Sequence, residues 1–133
     1  MKVALIQQTY CGDRDKNIAK LTENIRKCAA EGADLLVLSE LHNSLYFCQT
    51  ENVDNFDLAE PIDGYSARYF GRLARELSVV ILISIFERRT NGLYHNTAIV
   101  LEKDSSVAGI YRKMHIPDDP AFYEKFYFTP GDL

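Results

Sequence analysis

Two stretches of this chain, ADLLVLSE and VVILISIFE, carry runs that are apolar at nearly every position. A strand with one face in water alternates apolar and polar residues. A run without alternation asks for cover on both faces, as in the interior of a layered α/β sheet. The segments around these runs change period. From Asp15 to Glu31 the residues Ile18, Leu21, Ile25, Cys28 and Ala29 fall on one helical face, with Glu23 and Lys27 spaced as an i,i+4 pair on another and Gly32 as a natural stop. Phe70, Leu73, Ala74 and Leu77 form a second helical stripe, and Val3 to Gln8 reads as a further compact strand. The order is β-α-β-loop-α-β, and crossovers of that kind make three strands parallel neighbours in one sheet.

The rest of the sheet follows from two turns. Asn91-Gly92 is a strong hairpin signal, so LYHNTAIVLE returns antiparallel to the strand before it. KDSS then turns the chain again into VAGIYRK, and two reversals restore the original direction. Glu40 ends the second strand and Lys113 the fifth, so both side chains are expected at the carboxyl edge, where open α/β sheets bind ligands.

Size and charge narrow the functions available. With 133 residues, 47% of them hydrophobic, the chain is expected to be one folding unit or part of one. A net charge of −4 without a basic stripe gives no support for binding nucleic acid. The opening MKVALIQQ is too short in apolar residues for a secretory core, and no later run approaches a membrane span, so a cytoplasmic protein with no membrane partner is expected. Cys11, Cys28 and Cys48 form an odd set without Cys-x-x-Cys spacing, and His42, His95 and His115 are far apart. Neither a disulfide framework nor a metal site is indicated, and without a Gly-rich phosphate loop no cofactor is expected.

Several side chains could carry chemistry. A carboxylate at the lip of a buried strand is expected to be partly desolvated, which would let Glu40 accept a proton near neutral pH; the other reading is an acid that caps the next turn or pairs with an arginine. Lys113 could meet a developing oxyanion or simply reach solvent beside Arg112. Glu124, in the aromatic stretch FYEKFYF, could be a shielded carboxylate or an exposed salt-bridge partner near Lys125. Tyr46 and Phe47 could line a pocket or cover the core. Cys28 reads as a core residue, and Cys48 has no adjacent base or helix N-terminus to activate it. A base and a cation are visible, and a nucleophile is not.

In combination these segments resemble the nitrilase superfamily of carbon-nitrogen hydrolases. LLVLSE resembles the motif that supplies the family's glutamate base, YRKMHIP the motif of its lysine, and EKFYFTPGD the segment of a second active-site glutamate. The likeness covers essentially residues 1–133 and keeps the family's motif order. It implies one half of an αββα sandwich, a mixed sheet with two helices on one face, as the N-terminal part of a single domain. It also implies Glu40 as general base, Lys113 as oxyanion stabiliser, Glu124 as a helper that orients the lysine or the intermediates, and Tyr46 as a substrate-pocket residue. ELHNSLYFCQ, LAEPIDG and HIPDDPAFYEKFYFTPGD are most similar to members that act on a small-molecule carbamoyl amine. Homo-oligomerisation is expected on the same ground. The family's nucleophilic cysteine follows the PGD segment, and none of Cys11, Cys28 and Cys48 stands in a matching motif.

Overall fold

The computed structural model describes residues 1–132 and shows a five-stranded sheet in the order β1-β2-β3-β4-β5. The elements run β1 (Val3–Ile6), α1 (Arg14–Ala30), β2 (Leu35–Leu38), a 3-10 turn (Val53–Leu58), α2 (Tyr65–Leu77), β3 (Val80–Thr90), β4 (Leu93–Leu101), β5 (Val107–Arg112) and the short α3 (Glu124–Tyr127). β1, β2 and β3 are parallel, and β4 and β5 follow antiparallel, as the two crossovers and two turns require. None of the helices among the described residues is long and apolar enough to cross a membrane.

The helix boundaries have local causes. Asp13 caps α1 by accepting from the Lys16 N–H at 2.9 Å, and Gly32, at φ 86°, turns the chain out of it while its N–H donates to Ala29 O. The i,i+4 pair expected on α1 does not form. Glu23 and Lys27 are not within salt-bridge distance among the described residues, while Arg26 reaches across to Glu76 of α2 with contacts of 2.6 and 2.9 Å. An exposed lysine gains little from a neighbour in water, whereas the guanidinium fork matches a carboxylate face to face. At the β3–β4 hairpin only Gly92 is left-handed, at φ 77°, and the ladder shifts register between Arg88 and Thr90. The turn is therefore bulged and not the symmetric two-residue type that Asn-Gly favours.

Both long helices lie on one face of the sheet. Ile18, Leu21 and Ile25 of α1 and Phe70, Leu73 and Ala74 of α2 pack on Leu36, Leu38, Ile81, Ile83, Ile85, Ile99 and Leu101. The other face is only partly covered. Leu5, Val37, Leu82 and Val100 are successive partners across the four strands β1 to β4, and Leu5 is 77% exposed. A second, aromatic core built on Phe47, Phe86, Tyr127 and Phe128 lies at the carboxyl edge of the sheet, with Phe47 stacked on Phe86 at 5.1 Å and Phe128 edge-on to it at 5.1 Å.

His42 packs against the helix-covered core. Its Nδ1 accepts the Ser84 N–H at 3.4 Å, which places the ring proton on Nε2, and the ring stands edge-on to Phe70 at 5.1 Å. Burial pushes its pKa down to about 3, so the folded protein holds it neutral. An unfolded chain binds that proton near pH 6.5, so this contribution is fully present above that pH and is lost as pH falls toward the folded value. Between pH 6.5 and 4.5 the unfolding free energy will fall by about 2 kcal/mol more in the wild type than in His42→Gln. Denaturant titrations at the two pH values measure that difference.

Candidate active site

β2 ends at Leu38, and three residues later, just after Glu40, the chain turns sharply at Leu41, whose φ of 49° is left-handed. That conformation costs a leucine on the order of 1–3 kcal/mol and persists only where neighbours enforce it. It turns Glu40 toward the end of β5. Lys113 directly follows β5, and its backbone N–H donates to Asn96 O at 2.9 Å, which continues the ladder one residue beyond the strand. Glu124 opens α3, a helix of four residues held by packing more than by its own hydrogen bonds. Tyr127 fixes it from behind, accepting the Asn52 N–H at 2.9 Å and an Asn55 side-chain N–H at 3.0 Å.

These elements bring the four sequence candidates together. Lys113 Nζ lies 2.8 Å from Glu124 Oε2 and 3.2 Å from Glu40 Oε1. Tyr46 donates its hydroxyl to Glu124 Oε1 at 2.9 Å. The result is a line of groups, Glu40, Lys113, Glu124 and Tyr46, in which Glu124 is the buried member: the Glu40 side chain is 52% exposed and that of Glu124 is 4%. Tyr46 thus both borders the cleft and holds Glu124, so its hydroxyl is already engaged. Phe47 covers the aromatic core instead.

Three details depart from the expectations. Glu40 is half-exposed and not desolvated, because it lies past the strand end, at the turn before Leu41, and borders an open cleft; its position is set by partners and not by burial. Glu124 is buried and pairs with Lys113, so the reading as a surface acid near Lys125 does not hold. Lys113 does not reach past Arg112 into water, since Arg112 leaves the strand on the opposite face and binds Glu87 at 2.7 and 2.8 Å. The sequence reading also missed Asn96, whose Nδ2 donates to Glu40 Oε1 at 2.6 Å. The signal was present: His95, Asn96 and Thr97 are three consecutive polar residues inside an apolar strand, and all are buried.

Charge follows the geometry. Burial pulls the Lys113 pKa down, but the Glu124 hydrogen bond and the nearby Glu40 and Glu124 carboxylates outweigh it, so the ammonium is held above its ordinary range. Burial, reinforced by Glu124, pushes the Tyr46 phenol up and keeps it a donor. Burial, followed by the Glu124 charge, pushes the Cys48 thiol up to about 12, which removes it as a thiolate nucleophile near neutral pH. An open cleft of about 490 Å³ lies against Glu40, bordered by Gln8, Tyr10, Ser39, Ser44 and Tyr46.

The profile of the carbon-nitrogen hydrolase family matches residues 2–133. The chain belongs to the carbon-nitrogen hydrolase family. Among relatives, it is 39% identical to a citrullinase of Francisella tularensis over 98% of this chain and 46% of that protein. It is likewise 39% identical to an N-carbamoylputrescine amidase of Oryza sativa over 99% of this chain and 44% of that protein. The crystal structure of a carbon-nitrogen hydrolase from Helicobacter pylori G27 superposes with a TM-score of 0.93 at 50% identity, covering 98% of this chain and 45% of that one. An amidase from Nesterenkonia sp., at 20% identity and a TM-score of 0.80, shares the fold. The chain thus spans about half the length of the relatives it matches, and its mixed sheet with two helices on one face is that of this family of hydrolases.

Proposed function

We propose that this hydrolase chain supplies the base, the oxyanion cation and the supporting acid of an amidase that cleaves the carbamoyl C–N bond of N-carbamoylputrescine in polyamine biosynthesis, within a polypeptide that also carries the nucleophilic cysteine. The observation that carries the reading is Lys113 held between Glu40 and Glu124, at 3.2 and 2.8 Å. A cation fixed by two acids stays charged and does not reorganise when negative charge develops on a carbonyl oxygen. Glu40 is the acid with room to exchange a proton, because it borders the cleft.

In this mechanism Glu40 accepts the thiol proton as sulfur attacks the carbamoyl carbon, and the oxyanion forms beside Lys113. The proton passes to the departing nitrogen, and ammonia leaves as the C–N bond breaks. Water, deprotonated by Glu40, then attacks the thioester-like carbonyl, the C–S bond breaks, and the released carbamic acid gives carbon dioxide and putrescine. The three free cysteines suit a reducing, cytoplasmic setting.

Ammonia release from N-carbamoylputrescine, citrulline and simple linear amides by the complete polypeptide tests the assignment. The expected result is highest kcat/KM on N-carbamoylputrescine, with putrescine as the product. A preference for citrulline would move the substrate to the citrullinase reading. The 133 residues alone will show no turnover, because none of their cysteines is both activated and beside Lys113; ammonia release from that piece would refute this division of labour.

A further inference from the structure

Asn96 closes a ring of hydrogen bonds that starts and finishes on adjacent residues. The Leu41 N–H donates to Ser84 Oγ at 3.1 Å, Ser84 Oγ donates to Asn96 Oδ1 at 3.5 Å, and Asn96 Nδ2 donates to Glu40 Oε1 at 2.6 Å. The direction of each bond is fixed by its neighbours. A backbone N–H can only donate, so the Ser84 oxygen accepts and its own proton is free to go on to Asn96; only Oδ1 of the amide can take it, which leaves the NH₂ for the carboxylate. The same ring holds Leu41 in its left-handed conformation, and that turn aims Glu40. Asn96 also takes the Lys113 N–H on its backbone carbonyl at 2.9 Å. One residue therefore registers the base through its side chain and the cation through its main chain.

The burial pattern separates holder from held. Asn96 is 4% and Ser84 7% exposed on the long β3–β4 ladder, whereas the Glu40 side chain is 52% exposed. A carboxylate so open to water would explore several rotamers unless a buried donor pinned it, and misplacement of a catalytic group by about 1 Å costs on the order of 10²-fold in rate. Asn96 and Lys113 both engage Oε1, while Oε2 makes no hydrogen bond among the described residues.

We propose that Asn96, oriented by Ser84, is the positioning residue that holds Glu40 by Oε1 and leaves Oε2 as the oxygen that exchanges the proton. The inference rests on the reading of Glu40 as the base, and the experiment separates the two. In the complete polypeptide, assayed for ammonia release from N-carbamoylputrescine, Glu40→Gln is measured first, then Asn96→Ala, the isosteric Asn96→Asp, Ser84→Ala, and Asn96→Ala combined with Glu40→Gln. The expected result is a loss of kcat of about 10- to 100-fold in both Asn96 variants with KM within about twofold, a smaller loss in Ser84→Ala, and no further loss when Asn96→Ala is added to Glu40→Gln. Residues that act through one group lose their effect once that group is gone. A merely structural role would instead lower stability and add to the Glu40 loss. Should Asn96→Ala fail to fold, Asn96→Asp and Ser84→Ala carry the comparison. If Glu40→Gln keeps wild-type kcat, the base assignment falls and this inference with it. If Glu40→Gln is inactive while the folded Asn96 variants keep kcat within about twofold, the positioning role alone is overturned.

Discussion

Replacing Lys113 with alanine in the complete polypeptide will lower kcat by about 10²- to 10³-fold, with KM changed much less. Removing one preorganised donor from an oxyanion site costs that much where the donor meets charge that exists only in the transition state. Lys113 is placed for this role by contacts that do not depend on substrate, with carboxylate oxygens at 2.8 and 3.2 Å and a backbone N–H tied to Asn96. Its loss also leaves Glu40 and Glu124 facing each other without a cation between them, so the cost is not of charge alone. Lys113→Arg will not restore the rate, because a planar fork pairs side by side with one carboxylate and cannot sit as a point charge between two. Steady-state kinetics with a thermal melt on each variant separate the rate effect from misfolding. A Lys113→Ala enzyme within about tenfold of wild-type kcat would remove the lysine from the chemistry.

Much of this site was legible in the sequence because it depends on counting. Continuous apolar runs separated by helical periods imply parallel strands, two turns imply two reversals, and Glu40 and Lys113 then share an edge whatever the details of packing; the ladder bears this out. What the sequence did not show depends on contacts between distant segments. Glu124 is buried because Tyr46, far away in sequence, donates to it and because the aromatic core supports a helix too short to announce itself by period. Asn96 was overlooked because a polar residue in a strand is unremarkable until its partner is known, and that partner lies on a different strand end. The expected desolvation of Glu40 failed for a related reason. Burial of a strand does not extend to the residue beyond it, and here the turn at Leu41 carries the carboxylate to an open rim.

The stability of the same edge rests on a different pair, and here the larger effect is on folding. Replacing Glu87 with alanine will destabilise the protein by about 3–5 kcal/mol, the cost of leaving a buried charge without its partner. Glu87 is 1% exposed and takes Arg112 Nε and Nη2 at 2.8 and 2.7 Å and the Thr97 hydroxyl at 2.6 Å. Burial alone would push its carboxyl up, but these donors outweigh burial and hold it below the ordinary range. Its contribution is therefore present above the unfolded carboxylate pKa, near 4.5, and is lost as pH falls through the depressed folded value. Denaturant unfolding of Glu87→Ala against wild type at neutral pH measures the loss, and a change below about 1 kcal/mol would show the pair to be dispensable. Substituting both partners together, Glu87→Leu with Arg112→Met, will recover much of the stability, because it removes the stranded charge as well as the bond. Arg112 immediately precedes Lys113, and the Gly131 N–H is bound to Lys113 O at 2.9 Å, so the segment after α3 is anchored where this ion pair holds β5. The two variants should thus divide cleanly: Lys113→Ala removes rate from a folded enzyme, whereas Glu87→Ala loosens the strand that carries the lysine and loses activity only as the fold itself is lost.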